Sequence, residues 1–242
     1  EAGTVGESSV RYFIDGLLQK GRLIDYIENF IMFRNQKNKI IAKNHQYFGV
    51  NNLMESVKNR AELQGKLGVF WHTQGSGKSF SMVFFVRKVR RKISGNFTFL
   101  IITDREDLDD QIHKNFVKTE VIGQKEECQP KNGKQLRDYL QTNKSFIFTL
   151  IHKFRYDKGK KYPVLSTRDD IIVLVDEAHR TQYKDLAENM RTALPNANYI
   201  AFTGTPLLGS KRLTNQWFGN YVSEYNFAQS VEDGSTVTLF YF

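Results

Sequence analysis

The sequence contains a single cysteine, Cys128, in 242 residues. That excludes a disulfide framework and any multi-cysteine zinc site, and it fits a reducing, cytoplasmic compartment. No apolar run approaches the roughly 18 residues that a membrane-spanning helix needs. Internal repeats and low-complexity stretches are absent, and no histidines stand at metal-ligand spacing. The opening EAGTVGESSV lacks the basic-then-apolar layout of a secretory signal. Its first residue is Glu1 rather than methionine, so the chain reads as a portion of something longer.

What is present is a basic chain rich in apolar residues. Thirty-five Lys and Arg against 26 Asp and Glu leave a net charge of +9, a balance that favours a polyanion such as nucleic acid. An apolar fraction of 40%, with 19 Phe and 11 Tyr, is too high for a disordered chain. From about Ser8 to Leu63 the apolar spacing is mostly helical. It is clearest where Val50, Leu53, Met54, Val57 and Ala61 fall on one helical face. From Gly65 the texture changes to short apolar runs at 67–72, 97–103, 145–151, 171–175 and 199–203, which read as buried strands. The stretches 78–93, 106–117, 133–142 and 182–193 read as helices between them. Alternating β and α predicts an α/β fold, a mainly parallel sheet flanked by helices, with ligands beyond the carboxyl ends of its strands.

The residues that follow those strands carry the chemistry. After the first run comes 72-HTQGSGKS-79, a Gly-rich turn entering a helix. Gly75 and Gly77 can take backbone angles closed to other residues. The loop Thr73, Gly75, Ser76, Gly77 can then aim N–H groups and the positive helix end at phosphate oxygens. Lys78 would reach the β and γ phosphates and Ser79 would bind Mg²⁺. The strict G-x-x-x-x-G-K-[ST] pattern is broken, because His72 stands at its first Gly; a plain Gly-rich turn is the alternative. The run 171-IIVLV-175 ends in 176-DEAH-179. Asp176 can hold Mg²⁺ through water, and Glu177 is placed to orient and deprotonate an attacking water; the alternative is an acidic helix cap. His179 would couple this loop to its neighbours. Thr203, Gly204 and Thr205 end the fifth run in TGTP, either as a bridge to a moving partner domain or as a turn shaped by Gly204 and Pro206.

Two basic stretches bear on nucleic acid. Residues 151–168 hold Lys153, Arg155, Lys158, Lys160, Lys161 and Arg168 against Asp157, with Phe154, Tyr156 and Tyr162 interleaved. Such a loop could neutralise backbone phosphates without reading sequence, or it could be a solvated lysine loop. The cluster 87-RKVRRK-92 follows the phosphate loop on a helix, where a solvated face is the expected reading.

Taken in order, GSGKS, DEAH and TGTP resemble motifs I, II and III of superfamily 2 helicase-like motors. The finer match is to the R (motor) subunit of type I restriction endonucleases. It lies in 71-WHTQGSGKS-79, 101-IITDREDLDDQ-111, 149-TLIHKF-154 and 217-WFGNYVSEYNFAQSVEDG-234. His72 departs from the strict phosphate-loop pattern but agrees with this family. Upstream, 41-IAKNHQYFGV-50 is similar to the family segment whose glutamine reads the adenine edge, which makes Gln46 the candidate. Thr103, Asp104 and Arg105 match the family's strand-tracking motif, with Arg105 facing either a phosphate or a neighbouring Asp. The resemblance covers about residues 10–242.

The resemblance implies a RecA-like P-loop NTPase lobe that uses ATP and Mg²⁺ to pump double-stranded DNA without separating its strands. It would work beside methyltransferase and specificity subunits in the cytoplasm, with no membrane contact. The division it implies is a helical lead-in over 1–64, motor lobe one over 65–216, and an exit over 217–242 toward a second lobe. A nuclease centre is not visible. Three other readings stand beside it. A helicase or remodeller outside restriction would need a strand-separating element. A non-catalytic nucleic-acid-binding module with a decayed nucleotide fold sits badly with intact Lys78, Ser79, Asp176 and Glu177. A phosphotransferase or signalling GTPase lacks an Asn-Lys-x-Asp signature.

Overall fold

The computed structural model describes residues 14–16, 18–156, 160–176, 183–205 and 217–236. The chain begins with helix α1 (Lys20–Asn29), strands β1 (Ile31–Arg34) and β2 (Asn38–Ile41), and helix α2 (Asn44–Lys58). It continues through β3 (Lys66–His72), α3 (Lys78–Lys92), β4 (Thr98–Thr103), α4 (Glu106–Lys118), α5 (Gly133–Gln141) and β5 (Phe146–Leu150). After a 3₁₀ turn (Ile151–Phe154) come β6 (Ile171–Asp176), α6 (Tyr183–Ala193), β7 (Asn198–Thr203), β8 (Tyr221–Tyr225) and α7 (Phe227–Glu232).

Six strands form one sheet in the order β5-β4-β6-β7-β3-β8, with every neighbouring pair parallel. The five apolar runs supply five of these strands, and the four expected helices lie between them. Every residue of β4, β5, β6 and β7 is buried, as a parallel sheet covered on both faces requires. Alternation sorts the side chains. Phe99, Ile101, Phe146, Phe148, Ile172 and Leu174 face the core shared with α1 to α4. Leu100, Ile102, Ile147, Val173 and Val175 face Leu136 and Leu140 of α5 and Met190 and Ala193 of α6.

Several expectations are corrected. The lead-in is not all helical, because Ile31–Ile41 is an antiparallel hairpin whose turn residues Asn35 and Gln36 have φ of 53° and 59°. Two left-handed residues in a row are what a tight hairpin turn needs, and four-residue strands are too short to outweigh helical spacing around them. Helix α2 buries Val50, Leu53, Met54 and Val57 but ends at Lys58, so Ala61 lies past it and exposed. The exit over 217–242 does not simply leave the lobe: β8 is the sixth strand, paired along β3 from Val69↔Tyr221 to His72↔Tyr225. Helix α2 crosses close to this edge. A Cβ at Gly49 would sit 2.6 Å from the Ser223 hydroxyl and 2.5 Å from the Phe70 ring.

The cluster 87–92 is a solvated face only in part: Arg90, Arg91 and Lys92 are exposed, whereas Lys88 is buried and Arg87 half-buried. Lys88 Nζ lies 2.6 and 2.7 Å from the two oxygens of Asp25 on α1, donates to Asn51 Oδ1 on α2, and stands over the Phe30 ring. Arg87 donates to the Ile31 carbonyl at 3.3 Å, Arg91 to the Glu28 carbonyl, and Lys92 pairs with Glu28 at 2.6 Å. The cations therefore fasten the lead-in to α3. Burial pushes the Lys88 pKa down although Asp25 opposes the shift, so desolvation outweighs the pair's attraction. Removing one partner should thus cost more than removing both. Lys88→Ala is expected to lower stability in urea unfolding by about 3 kcal/mol. The double replacement Lys88→Met with Asp25→Leu should lose clearly less.

Candidate functional site

Strands β6, β7 and β3 are neighbours, with Asp176 opposite Phe202 and Thr203 opposite Trp71. Their carboxyl ends therefore bring the Gly-rich loop, Asp176 and Thr203 to one edge of the sheet. Gly75 and Gly77 have φ of +83° and +85°, the left-handed conformation that the loop demands. Gly77 caps α3, so the helix begins with no side-chain acceptor of its own, and its first turn carries no acidic residue. Helix α4, which begins within the neighbouring motif 101–111, has Glu106, Asp107 and Asp109 in its first turn. The positive end of α4 is thus neutralised from within, whereas that of α3 has no acidic side chain in its first turn to neutralise it.

Lys78 folds back along the loop, where its Nζ donates to the His72 carbonyl at 3.0 Å and the Thr73 carbonyl at 3.4 Å. Ser79 is half-buried in the first turn of α3. Thr73 is 9% exposed and Ser76 2%, and the Ser76 hydroxyl is buried with no hydrogen-bond partner among the described residues. Asp176 is buried at the tip of β6. Glu177 and His179 lie outside the described residues. Thr203, Gly204 and Thr205 form a tight turn in which the Thr203 hydroxyl donates to the Thr205 carbonyl (3.1 Å) and accepts the Thr205 N–H (3.2 Å). Pro206 lies outside the described residues.

Gln46, on the first turn of α2, is buried against the loop. Its Nε2 donates to the Gly77 carbonyl at 3.0 Å and to Ser81 Oγ at 3.3 Å, while its Oε1 accepts the Lys43 N–H at 2.9 Å. His72, in place of the first glycine, is fully buried and packs on Phe70 with ring centroids 3.9 Å apart. Burial, reinforced by His45 and Lys78, pushes its pKa down to about 2, so the imidazole is neutral. Its Nε2 is hydrogen bonded with the Ser223 hydroxyl at 2.7 Å.

Three residues that the sequence reading passed over join this site. His45 Nε2 lies 3.0 Å from the Ser76 carbonyl; as a carbonyl only accepts, that nitrogen carries the proton. The His45 ring stacks on Tyr225 at 3.8 Å and 15°. The Tyr225 carbonyl accepts the Thr73 N–H at 2.9 Å, and Ser223 is the partner of His72. The segments 41–50 and 217–234 carry family resemblance, but nothing in their spacing says that residues 45 and 225 meet.

The basic stretch divides. Lys153 is half-buried; its Nζ donates to the Pro130 carbonyl at 2.5 Å and faces Asp109, whose pKa burial pushes up. Arg168 is locked at the opposite end of the sheet by Asp170 (2.7 Å), Thr98 Oγ1 (3.0 Å) and the Asn96 carbonyl (2.8 Å). Phe154 and Tyr162 are buried, so they anchor the loop and are not stacking platforms. Lys160 and Lys161 are exposed, and Lys158 lies outside the described residues. The Arg105 side chain is 55% exposed at the start of α4, with its Nε 3.8 Å from Asp104.

Over 97% of its length the chain is 37% identical to the type I restriction enzyme HindI endonuclease subunit of Haemophilus influenzae, covering 24% of that protein. It spans about a quarter of the length of the curated relatives it matches. Two solved structures, each 13% identical, share the fold. The UvsW helicase of bacteriophage T4 matches with a TM-score of 0.57 over 91% of this chain and 77% of that one. The DNA-bound type ISP restriction-modification enzyme LlaBIII matches with a TM-score of 0.56 over 97% of this chain and 21% of that one. The family model for SWI2/SNF2 ATPases matches residues 45–242, and with the phosphate loop, Asp176 and Thr203 at one sheet edge the chain belongs to the SWI2/SNF2 ATPase family.

Proposed function

We propose that this chain is the ATP-binding first motor lobe of a type I restriction enzyme R subunit, coupling ATP hydrolysis to translocation of double-stranded DNA. The observation that carries the reading is the start of α3: a glycine-capped, acid-free helix end with the Lys78 ammonium resting on the loop carbonyls of His72 and Thr73. In this reading the N–H groups of Gly75 and Gly77 hold the α and β phosphates, joined by that of Ser76 once it leaves the Thr73 carbonyl at 3.3 Å, Thr73 shapes the loop's start, and Lys78 leaves its carbonyls for the β and γ phosphates. Gln46 serves the adenine edge by giving up bonds that its amide makes in this structure to the Gly77 carbonyl, Ser81 and the Lys43 N–H.

Ser79 and Asp176 fit a Mg²⁺ ion, since two protein oxygens suffice where phosphates and waters complete the shell. Bound there, Mg²⁺ would neutralise charge developing on the phosphates. Glu177 takes the proton of the attacking water. His179, Thr203, Gly204 and Thr205 relay the state of the site to a second lobe. Arg105 at the start of α4 and Lys158, Lys160 and Lys161 contact the duplex backbone, while Lys153 is held by the Pro130 carbonyl. Methyltransferase and specificity subunits are the partners, in the cytoplasm. Among the described residues no helix is long and apolar enough to cross a membrane.

Three measurements test this. Calorimetric titration of Lys78→Ala with Mg·ATP is expected to show affinity roughly 10- to 100-fold below wild type, the scale of a hydrogen bond to a charged group; equal affinities would remove the nucleotide site. In the complete R subunit, Glu177→Gln should bind ATP normally yet lose turnover, because an amide cannot accept the water proton. Near-normal turnover would assign the base elsewhere. Duplex binding should ignore sequence and weaken steeply with salt. Replacing Lys158, Lys160 and Lys161 by Ala should flatten the log–log salt slope by up to about three units.

A further inference from the structure

A loop that turns its N–H groups toward a ligand must turn carbonyls toward protein, and here two consecutive carbonyls are held by one helical turn. Gln46 Nε2 holds that of Gly77 at 3.0 Å, and His45 Nε2–H holds that of Ser76 at 3.0 Å. His45 is not fixed by its own helix alone. Its ring lies flat against Tyr225 at 3.8 Å and edge-on to His72 at 5.2 Å. Tyr225 in turn is 4% exposed and anchored three ways: its carbonyl accepts from Thr73 N–H, its hydroxyl donates to Asp233 Oδ2 at 2.8 Å, and its strand pairs with β3. The first turn of α2 is tied to the same segment again where Lys43 Nζ donates to Ser235 Oγ at 2.8 Å.

We infer that His45 and Tyr225 are positioning residues for nucleotide phosphates. His45 fixes the Ser76–Gly77 peptide with its N–H toward the ligand, and Tyr225 fixes His45. The inference rests on the nucleotide-site reading above and extends it to the segment 221–235, which becomes part of the binding machinery. Without His45 the Ser76 carbonyl loses its donor and the peptide gains freedom that binding must then remove. Without the Tyr225 ring, His45 can leave its carbonyl. Neither residue touches the nucleotide, so the effect falls on the α and β phosphates common to ADP and ATP.

The test is calorimetric titration of the protein with Mg·ADP and with Mg·ATP, beside thermal unfolding in the absence of nucleotide. His45→Ala and Tyr225→Leu should each weaken both nucleotides about tenfold, the loss of one hydrogen bond's worth of order. Tyr225→Phe, which keeps the ring, should stay within about twofold of wild type. Because Tyr225 acts through His45, the double variant should be no weaker than His45→Ala alone. A merely structural role would lower the unfolding temperature yet leave the affinity of the folded fraction unchanged, and that result overturns the inference. Should His45→Ala not fold, His45→Gln, which keeps a donor but not the stack, is read in its place and should still bind both nucleotides more weakly than wild type. Lys78→Ala separates the two levels. Loss of binding there with full affinity in folded His45→Ala and Tyr225→Leu defeats the clamp alone, whereas full binding in Lys78→Ala defeats the site itself.

Discussion

The loop between β3 and α3 turns a row of carbonyls toward the protein, each of which must find a donor of its own, and the packing around the loop follows from meeting that requirement. The carbonyls of His72 and Thr73 take the Lys78 ammonium, that of Ser76 takes His45, and that of Gly77 takes Gln46 as well as the first turn of α3. Each donor comes from a different distance along the chain. Lys78 is local, Gln46 and His45 come from a helix upstream of the sheet, and the strand that braces His45 comes from about 150 residues downstream. A five-residue loop with two glycines has little rigidity of its own. Its shape is imposed by helix α2 on one side and strand β8 on the other, and these two elements are packed closely enough that Gly49 has no room for a side chain.

Helix α3 serves two regions through the two halves of one sequence. Its first turn holds no acid and faces the loop, while its last turns hold Arg87, Lys88, Arg91 and Lys92, which fasten α1 and the hairpin. The arrangement agrees with the helix dipole, whose negative end favours cations in the final turn. The lead-in is therefore fixed to the same helix that follows the Gly-rich loop, and its Asp25 and Glu28 complement charges that belong to α3.

The sheet was legible because it is buried on both faces: Phe99 to Ile102 and Ile171 to Val175 read as unbroken apolar runs, and few other structures produce them. The loop and Asp176 were legible because ligand chemistry restricts residue type at fixed spacing beside those runs. What escaped reading shares a different property. In β8, Tyr-Val-Ser-Glu-Tyr is only half-buried at the sheet edge, so it carries no apolar run. In 87–92 the cations are indistinguishable by composition from a solvated face until α1 is laid against them. The meeting of His45 with Tyr225 depends on tertiary geometry alone. Lys153 likewise shares its composition with its exposed neighbours, and only its bond to Pro130 separates it from them.

The strand order has a consequence for how the chain is made. Among the described residues, strand β3, which leads into the Gly-rich loop, pairs only with β7 and β8, both of which lie more than about 120 residues later. At a synthesis rate of roughly 5–20 residues per second, β3 waits on the order of ten seconds with both edges open and its apolar side chains unpaired. Strands β4 and β5 can meet well before that, whereas β6 is complete at Asp176, only about 22 residues before β7 begins at Asn198. The half of the sheet that carries the loop is therefore the last whose strands are all synthesised. That interval, in which Leu67 to Trp71 is an unpartnered apolar edge, is when the protein is most exposed to aggregation and to capture by chaperones.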